Sequence, residues 1–427
     1  MPIKKPAKPR RFEVCNRQSS GTQQRLAGGP DAKIGDATPY LMHARKGDDM
    51  KFGWRRTIRG AMVTMTVFLL GLVAAAGQTG PDQNPQMSDV VFKNVQVLKG
   101  IPVDEFMDAM GMFASSLGYD CSSCHSPEIR NNRNAFAIET PAIQRARGMI
   151  TMMNNINRTY FRGEPRVSCF TCHRANYSPE IVPSLALQYG ELKEDPNAII
   201  IFLDRQASAD QVFDKYFQAL GGRERLTRLT TFVATGIYSG FNTGGAEVPV
   251  EIFASTPDQR SQIIHMRAGD GVKTYDGRNG WVAEEWRPVP LVTLTGGNLA
   301  GARLEAIMSF PAAIQKAFSQ WQVGSTIIDD RPVQILQGTN AGETPVNLYF
   351  DESGLLVRLV RWNKTTVGTV PTQIDYGDYR EVAGIKLPFR TIVTWTDGQN
   401  TVALKDVRPN VPIDRAKFTR PAPFQRR

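Results

Sequence analysis

Two pentapeptides constrain this chain more than anything else in it: Cys121-Ser122-Ser123-Cys124-His125 and Cys169-Phe170-Thr171-Cys172-His173. Four of the five cysteines and two of the four histidines fall within them. C-x-x-C-H is the spacing at which two thiols add across the vinyl groups of a haem while the next residue brings an imidazole to the iron. A chain with two such motifs must fold around two flat apolar groups bonded to it at fixed points. Three other readings of the cysteines are weaker. A zinc site could take Cys121, Cys124, Cys169 and Cys172 as four thiolates. The gap between the pairs is long for a zinc ribbon, however, and zinc requires no histidine after each pair. A thioredoxin-type dithiol wants a βαβ context, which the flanking sequence lacks. A disulfide inside either motif would close a very short loop and stabilise little.

Thioether attachment takes place outside the bacterial cytoplasm, so an export signal is expected. Met50-Lys51-Phe52-Gly53-Trp54-Arg55-Arg56 reads as a basic start. Ala61 to Ala76 is free of charge and ends in Ala74-Ala75-Ala76, the small-residue pattern of a cleavage site. Residues 50–76 therefore read as a signal peptide, with an uncleaved N-terminal anchor as the alternative, and the protein is expected in the periplasm. Residues 1–49 are polar and without hydrophobic periodicity, which predicts a disordered basic extension or a misassigned start. On that reading Cys15 and His43 carry no function. Residues 1–60 hold 14 Lys and Arg against 5 Asp and Glu, which is +9 of the chain's +10. The basic charge belongs to the leader, so nucleic-acid binding loses its main support.

Residues 77–89 form a Gln- and Pro-containing linker, and the chain beyond it divides in two. Residues 90–205 hold both motifs and read as helices. Pro102 to Leu117 places Val103, Phe106, Met107, Met110, Phe113 and Leu117 at helical spacing, with Asp104 and Glu105 in the first turn and Gly118 as the stop. In the second helix Thr140 is the N-cap and Pro141 takes the first helical position. Its expected apolar face is Ile143, Ala146, Met149, Ile150, Met153, Ile156 and Tyr160, and Gly163 ends it. Each motif thus comes after an amphipathic helix and a glycine stop, so a methionine on that helix can reach the far side of the iron. Thioether sulfur suits haem iron and raises its potential; as core filler the same methionines would carry no chemistry. No spare histidine lies in 90–205.

These residues resemble the cytochrome c subunit of photosynthetic reaction centres. The resemblance runs over residues 94–178, through Val95-Gln96-Val97-Leu98, Phe106, Met110, Ser116-Leu117-Gly118, Arg145-Ala146-Arg147-Gly148-Met149, Ile156-Asn157 and Val167-Ser168 into the second motif and Arg174. It implies two covalently bound c-type haems on Cys121, Cys124 and Cys169, Cys172. His125 and His173 would be the proximal iron ligands, and Met110 and Met149 the sixth ligands. Met107 or Met112 is the fallback for the first iron and Met152 for the second. The family is tetrahaem, whereas this chain has one half of its internal repeat and lacks the family's extra ligating histidine. The resemblance implies electron transport, with donor and acceptor proteins and a membrane complex such as a reaction centre as partners.

Residues 208–420 hold no cysteine and only His265, which reads as a satisfied histidine in an apolar strand. Ser208 with Gln211 is a capping box for a helix to Leu220. Beyond it, alternating strands are parted by turn signals at Asn242 to Gly245, Asp270-Gly271, Asp276-Gly277, Glu352 to Gly354 and Asp397-Gly398, with a helix at Ala300 to Phe318 broken by Pro311. This pattern resembles the periplasmic lipoprotein-sorting fold, which implies a half-barrel with room for an apolar ligand. The expected class is multidomain: a mainly α dihaem cytochrome domain followed by an antiparallel β half-barrel with a few helices. The chain shows no nucleophile–base pair and no phosphate loop, so it reads as an electron carrier and not an enzyme. Two alternatives stay open. One is a haem peroxidase or small-molecule reductase, and the other a lipid or lipoprotein carrier with redox-sensing haems.

Overall fold

Short turns cut residues 231–409 into thirteen antiparallel strands that form one sheet. They are β1 Thr231–Gly240, β2 Val248–Ser255, β3 Gln259–Met266, β4 Gly269–Tyr275, β5 Gly280–Ala283, β6 Val292–Thr293, β7 Gln320–Ile328, β8 Arg331–Thr339, β9 Val346–Phe350, β10 Leu356–Thr365, β11 Gly368–Val382, β12 Ile385–Trp395 and β13 Gly398–Pro409. The spatial order is β6-β5-β4-β3-β2-β1-β13-β12-β11-β10-β9-β8-β7. Two meanders therefore join through β1 and β13, and the two free edges, β6 and β7, are consecutive in the chain. The computed structural model describes residues 84–130, 132–182, 207–285 and 287–426. The expected basic extension (1–49) and signal peptide (50–76), Cys15, His43, the start of the linker and the end of the first domain lie outside them. Among the described residues no helix is long and apolar enough to cross a membrane.

Seven α-helices complete the described chain: α1 Ser88–Val91, α2 Val103–Leu117, α3 Pro141–Tyr160, α4 Cys169–His173, α5 Ala209–Ala219, α6 Arg223–Thr227 and α7 Gly296–Met308. The link between edge strands β6 and β7 is α7 with the 3-10 turn Pro311–Lys316, which crosses from one edge to the other. Ser208 and Gln211 form the expected capping box of α5. That helix sets Val212, Phe213, Tyr216, Phe217 and Leu220 against Leu304, Ile307, Phe310 and Ile314 and the inner faces of β1, β2, β9 and β10. All of these side chains are buried. This is a half-barrel filled by its own helices. Two hollows in it are small, about 60 Å3 beside α7 and about 30 Å3 beside Tyr216 and Tyr376.

A half-buried charged cluster lies beneath α7. Lys273 Nζ on β4 donates to both Glu305 oxygens at 2.7 and 2.9 Å, and Arg260 on β3 lies 3.9 Å from the same carboxylate. Burial alone would raise Glu305, but Lys273, Arg260 and Arg361 hold its carboxyl below the ordinary value. On the outer face the C-terminal segment returns across the sheet, packing Val411, Ile413 and Phe418 on Val233, Phe253 and Ile263.

The described residues form one compact unit, because the motif-bearing segment packs directly on the half-barrel. Leu98, Ile101, Ala109, Met112 and Met153 share a buried cluster with Val367 and Val370 of the β10–β11 hairpin. Polar contacts frame it. Asp104 of α2 accepts bonds from the backbone N and Oγ1 of Thr295, at 2.6 and 2.8 Å. Asp108 accepts from Asn298 and Asn363 at 2.8 and 2.6 Å, and Glu105 from the Thr366 amide at 3.0 Å. Burial raises the Asp108 carboxyl to about 6 against the pull of its two asparagine partners.

Three sequence expectations shift. The linker drawn over 77–89 is already docked at its end: Met87 bridges to Pro102, and buried Ser88 donates to Leu98 O at 2.6 Å. Asp270-Gly271 is not a turn but lies inside β4; the β3–β4 turn falls at Arg267-Ala268. The helix expected from Ala300 begins earlier, at Gly296.

Candidate haem-binding site

Local hydrogen bonds shape both cysteine motifs. In the first, the Asp120 side chain accepts the Ser123 amide at 3.1 Å and the Ser122 hydroxyl at 2.7 Å. That winds Cys121–Ser123 into a 3-10 turn, and His125 N then bonds Cys121 O at 3.0 Å. Thr140 has two roles. Its hydroxyl caps α3 through the Ile143 amide, as expected, and donates to Cys124 O at 2.6 Å. The cap of the second helix is therefore also the clamp on the first motif. In the second motif Cys169 to His173 forms α4, begun by the Ser168 amide donating to the Thr171 hydroxyl at 3.0 Å. Asn157 near the end of α3 brackets Val167, taking its N–H at 2.9 Å and donating to its carbonyl at 2.7 Å.

The two motifs are tied through α2. Ala175 N donates to Ser116 O at 2.9 Å. Gly118 caps α2 at φ 66°, as its position implies, and a Cβ there would stand 2.5 Å from Ala175 O. Only glycine meets both demands. Gly368, at the tip of the β10–β11 hairpin, lies against Ser168 and Met112, so the hairpin reaches α2 and the start of α4 together.

Both histidines are oriented in the same way. His125 Nδ1 lies 3.0 Å from Phe136 O, and His173 Nδ1 lies 3.1 Å from Asn176 O. A carbonyl only accepts, so Nδ1 carries the proton and Nε2 presents its lone pair. An imidazole ligand is fixed in this way, by a carbonyl behind it. Burial pushes the His125 imidazole below its ordinary value, which keeps it neutral and able to bind metal. All four thiols are free. Burial raises Cys121 and Cys124, and pushes Cys169 up to about 11. Reactive redox dithiols sit in settings that lower the thiol instead. Among the described residues no three His, Cys, Asp or Glu side chains gather into a metal-binding group.

The surroundings suit a flat apolar group. Tyr119, Phe136, Ile138, Met149, Met152, Phe170 and Tyr177 are large and exposed. Among the described residues, the only large exposed apolar side chains outside 90–182 are Phe241 and Ile327. Such clustering marks a binding surface. Met110 is half-buried on α2, whereas Met112 is buried against the hairpin, which leaves Met110 the freer sulfur. On α3 the buried strip is Ile150, Met153 and Asn157. The expected apolar face is therefore too wide: Met149 and Tyr160 lie outside it, and Met149 and Met152 are equally exposed. The asparagine and threonine clamps and the docking carboxylates Asp104, Glu105 and Asp108 were not foreseen. Asp104 and Asp108 carried a signal in their i, i+4 spacing on one helix.

His265 is satisfied, as its isolation suggests. It lies 3.3 Å from Glu251 on β2 and 3.2 Å from Asp270 on β4.

Residues 64–199 match the family described as photosynthetic reaction centre cytochrome C subunit, and residues 293–404 match a family of unknown function, DUF6544. Several solved structures are similar over the half-barrel. A LolA superfamily protein from Nitrosomonas europaea is 13% identical, covering 50% of this chain and 98% of its own, with a TM-score of 0.33. A DUF1329 family protein from Desulfovibrio piger is 10% identical over 49% of this chain and 96% of its own, at 0.35. An outer membrane lipoprotein-sorting protein domain from Vibrio parahaemolyticus is 8% identical over 49% and 94%, at 0.32. The chain thus joins a segment similar to reaction-centre cytochrome c subunits, which implies c-type haem binding, to a large antiparallel half-barrel.

Proposed function

We propose that this is an exported dihaem c-type cytochrome that carries electrons, and that the half-barrel is the scaffold on which its haem segment is built. The observation that carries the reading is the matched pair of C-x-x-C-H motifs, each with its histidine Nδ1 held by a backbone carbonyl. Bound haem would supply a one-electron iron couple. The chain's own part is to fix both groups by Cys121, Cys124, Cys169 and Cys172 and to orient His125 and His173 from behind. Met110 and Met149 would supply a thioether sulfur to each iron. The half-barrel gives α2 a rigid bed through Asp104, Glu105 and Asp108. The likeness to the reaction-centre subunit supports a periplasmic site of action and a membrane complex among the redox partners.

Haem-matured, exported protein should weigh two haems more than its polypeptide, and the haem should survive acid-acetone extraction. Its N-terminus should lie near Gly77. A zinc-containing protein without haem absorbance would end the reading. Met110→Ala should lower one potential and open that iron to carbon monoxide, and Met149→Ala should do the same for the other. If the double variant keeps both sulfur-to-iron bands, Met107, Met112 or Met152 is the ligand. Rapid carbon monoxide binding by the unaltered reduced protein would favour a peroxidase or reductase. A lipid that copurified with the protein would favour the carrier reading, for which the filled half-barrel gives no support.

A further inference from the structure

We infer that the surface around the second motif is a docking face for a redox protein whose own contact patch is acidic. The inference rests on the electron-carrier reading and adds the chemistry of the partner. Charge divides sharply along the haem segment. Residues 84–140 carry seven Asp and Glu against four Lys and Arg, while residues 141–182 carry six arginines and no lysine against two glutamates. Arg147 is taken by Glu139 at 2.7 Å. Arg158, Arg162, Arg166 and Arg174 are exposed, and among the described residues Arg162, Arg166 and Arg174 have no ion-pair partner.

The chain sets these cations on the loop that enters α4 and directly after that helix. Asn157 holds Val167, and Gly163 N bonds Asn157 O at 3.0 Å, so residues 157–167 close into a tight loop leading directly into α4. Arg162 and Arg166 ride on that loop, and Arg174 comes directly after His173. Two of them stand where glycine would be easier. Arg162 has φ 56° and Arg174 φ 50°, left-handed positions that cost an ordinary residue conformational energy. The chain bears that cost at Arg162, on the loop before the motif, and at Arg174, directly after it. Exposed Tyr160 and Phe161 lie beside them. Arginine among aromatics is the composition of protein contact surfaces, and charge of one sign around a redox centre steers an oppositely charged partner onto it.

The test uses haem-matured full-length protein and the Arg162→Gly, Arg174→Gly double variant, which relieves both left-handed positions. In stopped flow one electron passes from reduced protein to ferricyanide, giving ferrocyanide and oxidised protein, with no bond or proton moving. At low salt the variant should react about tenfold more slowly, and the difference should vanish at high salt. With a cationic cobalt(III) phenanthroline oxidant the rate should not fall. Polyglutamate should bind the native protein in a salt-sensitive way and the variant more weakly, while the thermal midpoint is unchanged or higher. Equal ferricyanide rates at low salt would overturn the inference. So would binding to phosphatidylglycerol vesicles, lost in the variant, with none to polyglutamate; the face would then be a membrane contact. Absent haem absorbance would sink the carrier reading alone, since the polyglutamate arm still decides the surface.

Discussion

The motif-bearing segment and the half-barrel are built on opposite plans. The half-barrel meets its own needs: Phe213, Phe217, Leu336, Leu348 and Leu359 are fully enclosed by other side chains of the same domain. The motif-bearing segment buries far fewer large side chains, and its share of the core is completed by Val367 and Val370 from the half-barrel. It turns Phe136, Ile138, Met149, Met152, Phe170 and Tyr177 outward. On the dihaem reading, such a segment can leave its apolar residues for the bound groups to cover, provided that something rigid sets its frame. The half-barrel is that frame. On the proposed reading, this division lets the half-barrel serve as a frame without having to bind anything itself.

The largest expected effect breaks the comparison outright. Cys169→Ala with Cys172→Ala should remove one haem from the intact mass and loosen α3 and α4, seen as faster amide exchange there. Exchange within β1–β13 should hardly change. The same pair of changes at Cys121 and Cys124 should remove the other haem. If either double variant unfolds the half-barrel as well, the frame depends on the cofactors and the two plans are one.

A change inside the frame should have the converse signature. Glu305→Gln leaves Lys273, Arg260 and Arg361 without their shared counter-charge. Removing one partner of this half-buried charge group should cost about 2 kcal/mol, read as a lower denaturant midpoint, while the haem spectrum of the folded fraction stays the same. An unchanged midpoint would mean that water reaches the cluster.

What could be read from the sequence depends on the range of each interaction. Thr140-Pro141, Gly118 and the Ser208–Gln211 box are local signals, and all three were legible because the residues that speak are adjacent to the groups they satisfy. The turn and the short helix of the two C-x-x-C-H motifs are held by equally local bonds. Strand ends were less legible. Asp329 and Asp330 form the β7–β8 turn with φ 49° and 60°, a pair with none of the glycine that usually announces such a turn. Asp270-Gly271 looked like a turn, yet Gly271 is small for another reason: a Cβ there would stand 3.1 Å from Met266 and 3.3 Å from Glu284. The start of α7 at Gly296-Gly297 was hidden because glycine disfavours helices. Here the Gly297 amide is held by Asn363 at 3.2 Å. Nothing local tells that Asp104 meets Thr295, 191 residues away.

That last contact gives the smallest and sharpest test of the comparison. Asp104 is buried, and its two oxygens hold the residue that begins α7, the helix joining the half-barrel's two edges. One carboxylate thus belongs to the haem helix by sequence and to the frame by contact. Asp104→Ala removes two charge-assisted bonds and leaves the Thr295 amide without its partner, at a cost of about 2 kcal/mol. Asp104→Asn keeps the shape, and one acceptor, and should recover part of that. If α2 is seated by the frame, the loss should appear in both regions: a lower denaturant midpoint for the half-barrel, and a weaker sulfur-to-iron band at the haem served by Met110, one helical turn and a half along α2. A midpoint that falls with the band intact would leave Asp104 as a structural residue of the half-barrel alone, and the rigid bed proposed for Met110 would have to be sought in Asp108 and the β10–β11 hairpin.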